Sequence, residues 1–167
     1  MLRAFFVMIC ISALGAPSPG RAADTGPCTS VEHRQFDFWL GDWQVHRRDG
    51  TLAGVNRIHQ EYGGCVVHER YATGRGYSGE SLNIYDAARK VWHQTWVDSN
   101  GLLLTLEGRW NGKAMVLQGE AAQPSGVRSR QRITWTPNPD GSVRQLWEVA
   151  DANGAWTVVF DGRYTKK

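Results

Sequence analysis

The sequence predicts an all-β protein: an antiparallel up-and-down β-barrel of about ten strands, closed at one end by a short N-terminal helix. Three observations predict it. Apolar and polar residues alternate with a period of two from Trp43 to Tyr164, the pattern of strands with one buried face. Turn chemistry interrupts the alternation at Asp49-Gly50, Gly63-Gly64, Asn100-Gly101, Asn111-Gly112, Asn138-Pro139-Asp140-Gly141 and Asn153-Gly154, where glycine accepts the positive φ of tight hairpins. Between these turns no segment has a crossover helix's period or length, so neighbouring strands run antiparallel. A meander this long must curl, and closure removes both exposed edges. A two-sheet sandwich is the rival arrangement.

Residues 1–22 stand apart from the domain, which is expected to span 24–167. Arg3 precedes the apolar run Ala4 to Leu14, and Gly20-Arg21-Ala22 places small residues at a cleavage site. This is the pattern of a secretory signal peptide, and the run is too short to span a bilayer. Export to the periplasm or beyond is the expectation, with no stable membrane insertion after cleavage. Removing Arg3 and Arg21 lowers the formal charge by two, from +3 to +1. The remaining basic residues are scattered, so the clustered footprint of a nucleic-acid binder is missing, and Lys166-Lys167 reads as a solvated tail. Cleavage also leaves two cysteines, Cys28 and Cys65. In an exported chain they are expected to form one disulfide. Free thiols and a metal site are the alternatives, and two cysteines without paired histidines suit zinc poorly. No metal is expected.

Phe36, Trp39 and Leu40 sit at helical spacing ahead of Gly41-Asp42-Trp43. They read as one helical turn plugging the end of a sheet that begins at Trp43, with Trp39, Gly41 and Trp43 as structural residues. Strands follow near 42–49, 52–62, 65–72, 79–87, 90–98, 102–110, 113–120, 127–136, 142–151 and 155–164. Each turn sets a register. Gly63-Gly64 pairs Ile58 with Glu69 and Asn56 with Tyr71. Ala88-Arg89 pairs Tyr85 with Trp92 and Asn83 with Gln94, and a three-residue Ser99–Gly101 loop pairs Trp96 with Leu104. Asn111-Gly112 pairs Leu106 with Leu117, the 138–141 loop pairs Trp135 with Val143, and Asn153-Gly154 pairs Val149 with Val158 and Trp147 with Phe160. Opposed residues share a face, so these pairs propagate one interior around the sheet. It collects Trp43, Val45, Ile58, Val67, Trp92, Leu106, Met115, Trp135, Trp156, Val158 and Phe160, among others.

The same face carries polar residues, which single out a candidate ligand site. They are Asn56, Glu69, Tyr71, Asn83, Gln94, Gln131 and Gln145, with Trp92, Trp96 and Trp147 as stacking surfaces. Five buried amides that did nothing would be costly, although they can also satisfy one another and buried water. The reading is a binding protein that holds a small, partly polar aromatic or amphipathic ligand in the lumen, with no catalysis and no cofactor expected. Glu69 is the one clear inward carboxylate, and as a buried acid it could serve as general acid or base. No Ser/His/Asp set or second carboxylate joins it. A haem would need an inward imidazole, whereas His46, His59, His68 and His93 fall on the outer face and His33 precedes the plug.

The stretch Phe36–Trp43 ends in Gly41-Asp42-Trp43, which resembles the Gly-x-Trp signature of lipocalins and the wider calycin group. Together with Ser81–Asp86 and Trp92–Asp98, the string is similar to a bacterial exported family of unknown function, over about residues 28–165. The resemblance implies an up-and-down barrel with Trp43 at the closed end. Ten strands are more like the fatty-acid-binding-like and nitrobindin-like calycins than eight-stranded lipocalins. It also implies a late arginine stacked on that tryptophan. Arg163 is the candidate, although the turn registers put it on the outside.

Overall fold

The computed structural model describes residues 26–122, 126, 128–151 and 153–167. The expected signal peptide of residues 1–22 lies outside the described residues. Ten strands form: β1 Gly41–Arg47, β2 Leu52–Glu61, β3 Val66–Ala72, β4 Ser78–Asp86, β5 Val91–Asp98, β6 Leu103–Trp110, β7 Met115–Ala122, β8 Arg128–Pro137, β9 Val143–Ala150 and β10 Trp156–Lys166. Each pairs antiparallel with its sequence neighbours, and β1 pairs with β10, so the sheet closes into a barrel. The expected all-β barrel is what forms.

The first hairpins keep their expected registers. Asn56 opposes Tyr71 and Ile58 opposes Glu69, Tyr85 opposes Trp92, and Trp96 opposes Leu104. Three later turns differ for one shared reason. Leu106 faces Gly119 rather than Leu117, because the Asn111 carboxamide oxygen accepts from the backbone N–H groups of Lys113 and Ala114 at 2.9 and 2.8 Å. That stretches the loop to four residues. Trp135 faces Gln145 rather than Val143, because Asp140 holds the Ser142 N–H at 3.0 Å and its hydroxyl at 2.6 Å. Asp151 likewise accepts from Asn153 and Ala155 N–H groups, both at 2.9 Å. Here Val149 faces Thr157, and a bulge between Val158 and Phe160 restores the expected pairing of Trp147 with Phe160. Short Asx side chains bond backbone amides two residues on and compete with the ladder. Shifts of two preserve the face and shifts of one reverse it. Trp156 and Val158 therefore point outward, against expectation. Trp156 packs under the Arg132 guanidinium, 4.2 Å from its ring centroid, and Val158 is half exposed.

The expected helical turn at the barrel end is two short 3-10 turns, Val31–Arg34 and Asp37–Trp39. Phe36 and Trp39 are fully buried. Their rings stack at 4.9 Å, and each meets Trp135 at 5.3 Å. Trp43 is fully buried too, and its indole N–H donates to the Trp39 carbonyl at 2.9 Å. The expected Cys28–Cys65 disulfide is present. It ties the leader to the β2–β3 loop, and Arg34 adds hydrogen bonds to the Cys28 and Gly64 carbonyls.

The cation on Trp43 is not Arg163, which lies outside and pairs with Asp140. It is Lys166, which sits opposite Trp43 across the closing seam. Its ammonium lies 3.8 Å from the indole centroid and donates to the Leu40 carbonyl. A cation over an indole face is attracted by the ring quadrupole, so Lys166 is part of the closure and not a solvated tail. Gly41, at φ 131°, leaves the room this ammonium fills: a Cβ there would collide with Lys166.

Candidate ligand cavity

The lumen is half filled and half hollow. Toward the plug it is packed with Phe36, Trp39, Trp43, Leu106, Met115 and Leu117, all fully buried. Toward the opposite end it opens into a cavity of about 270 Å³. Trp135 and Tyr164 divide the two halves. Both line the cavity, and both also touch the plug, Trp135 through Phe36 and Tyr164 through Trp39.

Three cavity rings pack against inward-facing glycines. A Cβ on Gly54 would meet the Tyr71 ring at 2.7 Å, one on Gly79 would overlap the Trp96 indole, and one on Gly162 would meet the Phe160 ring at 2.5 Å. Gly54 opposes Val45, Gly79 opposes Tyr71 and Gly162 opposes Gln145, so all three face the interior. A strand glycine accepts an aromatic ring from its own or a neighbouring strand where any side chain would exclude it. The rings are thus held against the wall and the space between them stays empty. Gly79→Ala is expected to push Trp96 into the cavity and to destabilise by about 1–3 kcal/mol, as overpacking does. Urea denaturation measures the stability, and near-UV circular dichroism reports the indole.

A buried hydrogen-bond line crosses the wall at Glu69, which is 4% exposed and lines the cavity. The Asn56 amide donates to one carboxylate oxygen and the Ser81 hydroxyl to the other, each at 2.7 Å. Asn83 donates to Ser81 at 2.9 Å and Gln94 donates to Asn83 at 2.8 Å. Every donor in this line points toward the carboxylate. Farther round, Tyr164 donates to the Gln145 carboxamide oxygen, and Gln131 accepts from the Trp147 indole at 2.8 Å. Burial pushes the Glu69 carboxyl up to about 7, against the lowering effect of its Ser81 and Asn56 hydrogen bonds. Burial raises the Tyr71 and Tyr164 phenols as well.

The predicted residues divide by depth. Glu69, Tyr71, Gln94, Trp96, Gln145 and Trp147 line the cavity. Asn56, Asn83 and Gln131 are buried behind it and hold the residues that do. Trp92 lies at the plugged end, edge-on to Phe36 at 5.5 Å with its indole donating to Gln35 at 3.3 Å. The rim residues Arg47, Thr73 and Tyr77 were not singled out from the sequence. Arg47 continues the inward alternation of Trp43 and Val45, a signal that was there to be read. Tyr77 donates to Asp98 at 2.9 Å, and Asp98 also accepts from Trp96 at 3.4 Å, which braces the rim.

No histidine is among the cavity-lining residues. His68 stands on the outer face but is buried there between Glu61 and Glu80, at 3.0 and 2.7 Å. Among the described residues no group of three or more His, Cys, Asp or Glu side chains could hold a metal ion, and no helix is long and apolar enough to cross a membrane. No protein-family model matches the chain, and a search of curated proteins finds no match either. The closed antiparallel ten-stranded barrel is compatible with a calycin-type fold.

Proposed function

We propose that the protein is an exported, calycin-like carrier or sensor that binds a small molecule in the hollow half of its barrel. One observation carries the reading: a cavity of about 270 Å³ whose aromatic walls are held back by glycines and whose polar groups converge at Glu69, Gln94 and Gln145. Ligand pockets are mostly apolar concavities with a few placed hydrogen-bonding groups, and drug-sized ligands occupy roughly 300–1,000 Å³. The occupant is therefore smaller than drug-sized. Export rests on the leader sequence of residues 1–22 and draws indirect support from the Cys28–Cys65 disulfide, since such bonds persist in oxidising compartments.

The test is a screen of small aromatic and amphipathic compounds read by two signals. Binding is expected to quench the emission of Trp96 and Trp147 and to raise the melting temperature by mass action. A broad screen that moves neither signal refutes the reading.

A second reading has one observation in its favour, the Glu69 carboxyl poised near neutrality on the cavity wall. A general acid or base works best with a pKa near the working pH. No second carboxylate or histidine lines the cavity with it, so binding is the first activity to measure.

A further inference from the structure

We propose that the cavity selects an organic cation, a small primary amine with an aromatic or apolar body, whose ammonium group is the missing partner of Glu69. This rests on the binding reading above and names the chemistry of its ligand.

Glu69 is buried at the cavity wall, and among the described residues it makes no ion pair. Its partners are neutral: the Asn56 amide and the Ser81 hydroxyl. A buried charge is ordinarily paired. The neutral donors are aligned to favour the ionised carboxylate, since Gln94, Asn83 and Ser81 form one head-to-tail line ending on it. A carboxylate oxygen has room for more than one donor, and each oxygen of this cavity-lining carboxylate accepts only one hydrogen bond from the protein.

The rest of the wall suits a cation equally well. Tyr71, Trp96, Trp135, Trp147, Phe160 and Tyr164 surround the same space. Electron-rich ring faces attract ammonium groups, most strongly when both are desolvated. The one basic residue of the lining, Arg47, belongs to the rim and donates to Thr51 and the Leu52 carbonyl, at 3.4 and 3.3 Å. The Gln94 carboxamide uses its N–H group on Asn83 and Gln145 uses its oxygen on Tyr164. The remaining half of each amide is left for the ligand's polar atoms.

The test compares three probes of nearly equal shape and different charge: 2-phenylethylamine, 2-phenylethanol and 3-phenylpropionate. Titration calorimetry of the disulfide-bonded protein at pH 8 is expected to show the amine binding at least about tenfold more tightly than the other two. Glu69→Gln is expected to reduce amine affinity by about tenfold and to leave the alcohol within roughly twofold. Lowering the pH to 5.5 is expected to shrink the wild-type preference for the amine and to leave that variant's profile flat. The flat profile matters because Tyr71, Tyr164 and the outward His68 surround Glu69, with Arg47, Tyr77 and Asp98 at the rim. The probe series on the wild type decides the question even if the variant folds poorly. Alcohol or carboxylate binding as tight as amine binding overturns the amine assignment and leaves the cavity reading standing. Binding of none of the three overturns the assignment as well, and the broader screen then judges the cavity on its own.

Discussion

Trp43→Ala is expected to destabilise the protein by about 3–5 kcal/mol, the range for deleting a large buried aromatic side chain. The indole is 0% exposed and touches three parts of the closure at once. Its N–H holds the plug through the Trp39 carbonyl, its edge meets Tyr164 at 6.2 Å, and its face carries the Lys166 ammonium at 3.8 Å. Truncation leaves a void among rigid neighbours and strips Lys166 of its ring. Equilibrium urea denaturation measures the effect, with Trp43→Phe expected to recover part of it. A midpoint unchanged by Trp43→Ala would refute the role of Trp43 as keystone of the closed end.

The barrel was legible in the sequence because face membership is a local property. Two-residue alternation and glycine turns put Ile58, Glu69, Gln94 and Trp135 on one face, and all are buried inside. What was not legible depends on competition or on distance along the chain. Asn111, Asp140 and Asp151 lengthen their hairpin loops by capturing backbone N–H groups, and a dipeptide turn rule does not see that capture. The last of these shifts the register by one, which reverses Trp156 and Val158, and a bulge near Val159 then recovers it. Lys166 gains its role only when β10 closes on β1, so from sequence it was indistinguishable from a tail. The candidate site divides in the same way. Inwardness could be read, but depth could not, because depth depends on how far Phe36 and Trp39 penetrate the lumen. Trp92 is inward yet belongs to the plugged half, whereas Gln145, also inward, reaches the hollow half.

Glu69 is expected to make stability fall with pH across the range from about 4.5 to about 7. Its carboxyl is raised from the ordinary 4.5 to about 7 in the folded protein because burial penalises the charged form. Below 4.5 the group is protonated in both states and imposes no penalty. Between 4.5 and 7 the unfolded chain has released its proton while the folded chain still holds it, so stability declines as pH rises. Above 7 both states are ionised and the loss is complete. At about 1.4 kcal/mol per pKa unit, the full effect is roughly 3 kcal/mol. Carboxylates such as Asp86 and Asp161, held below their usual range by Arg89 and Arg144, act in the opposite direction and at lower pH. The comparison that isolates Glu69 is therefore with Glu69→Gln, which keeps the shape and removes the titration. Relative to wild type, that variant is expected to gain about 3 kcal/mol between pH 4 and pH 8 in urea denaturation. A difference that stays flat with pH would mean that the Asn56 and Ser81 hydrogen bonds fully offset burial and that the carboxylate is content without a partner. With the slope present, an ammonium ligand has a stability deficit to relieve. At pH 8, 2-phenylethylamine is expected to raise the melting temperature of the wild type more than that of the variant.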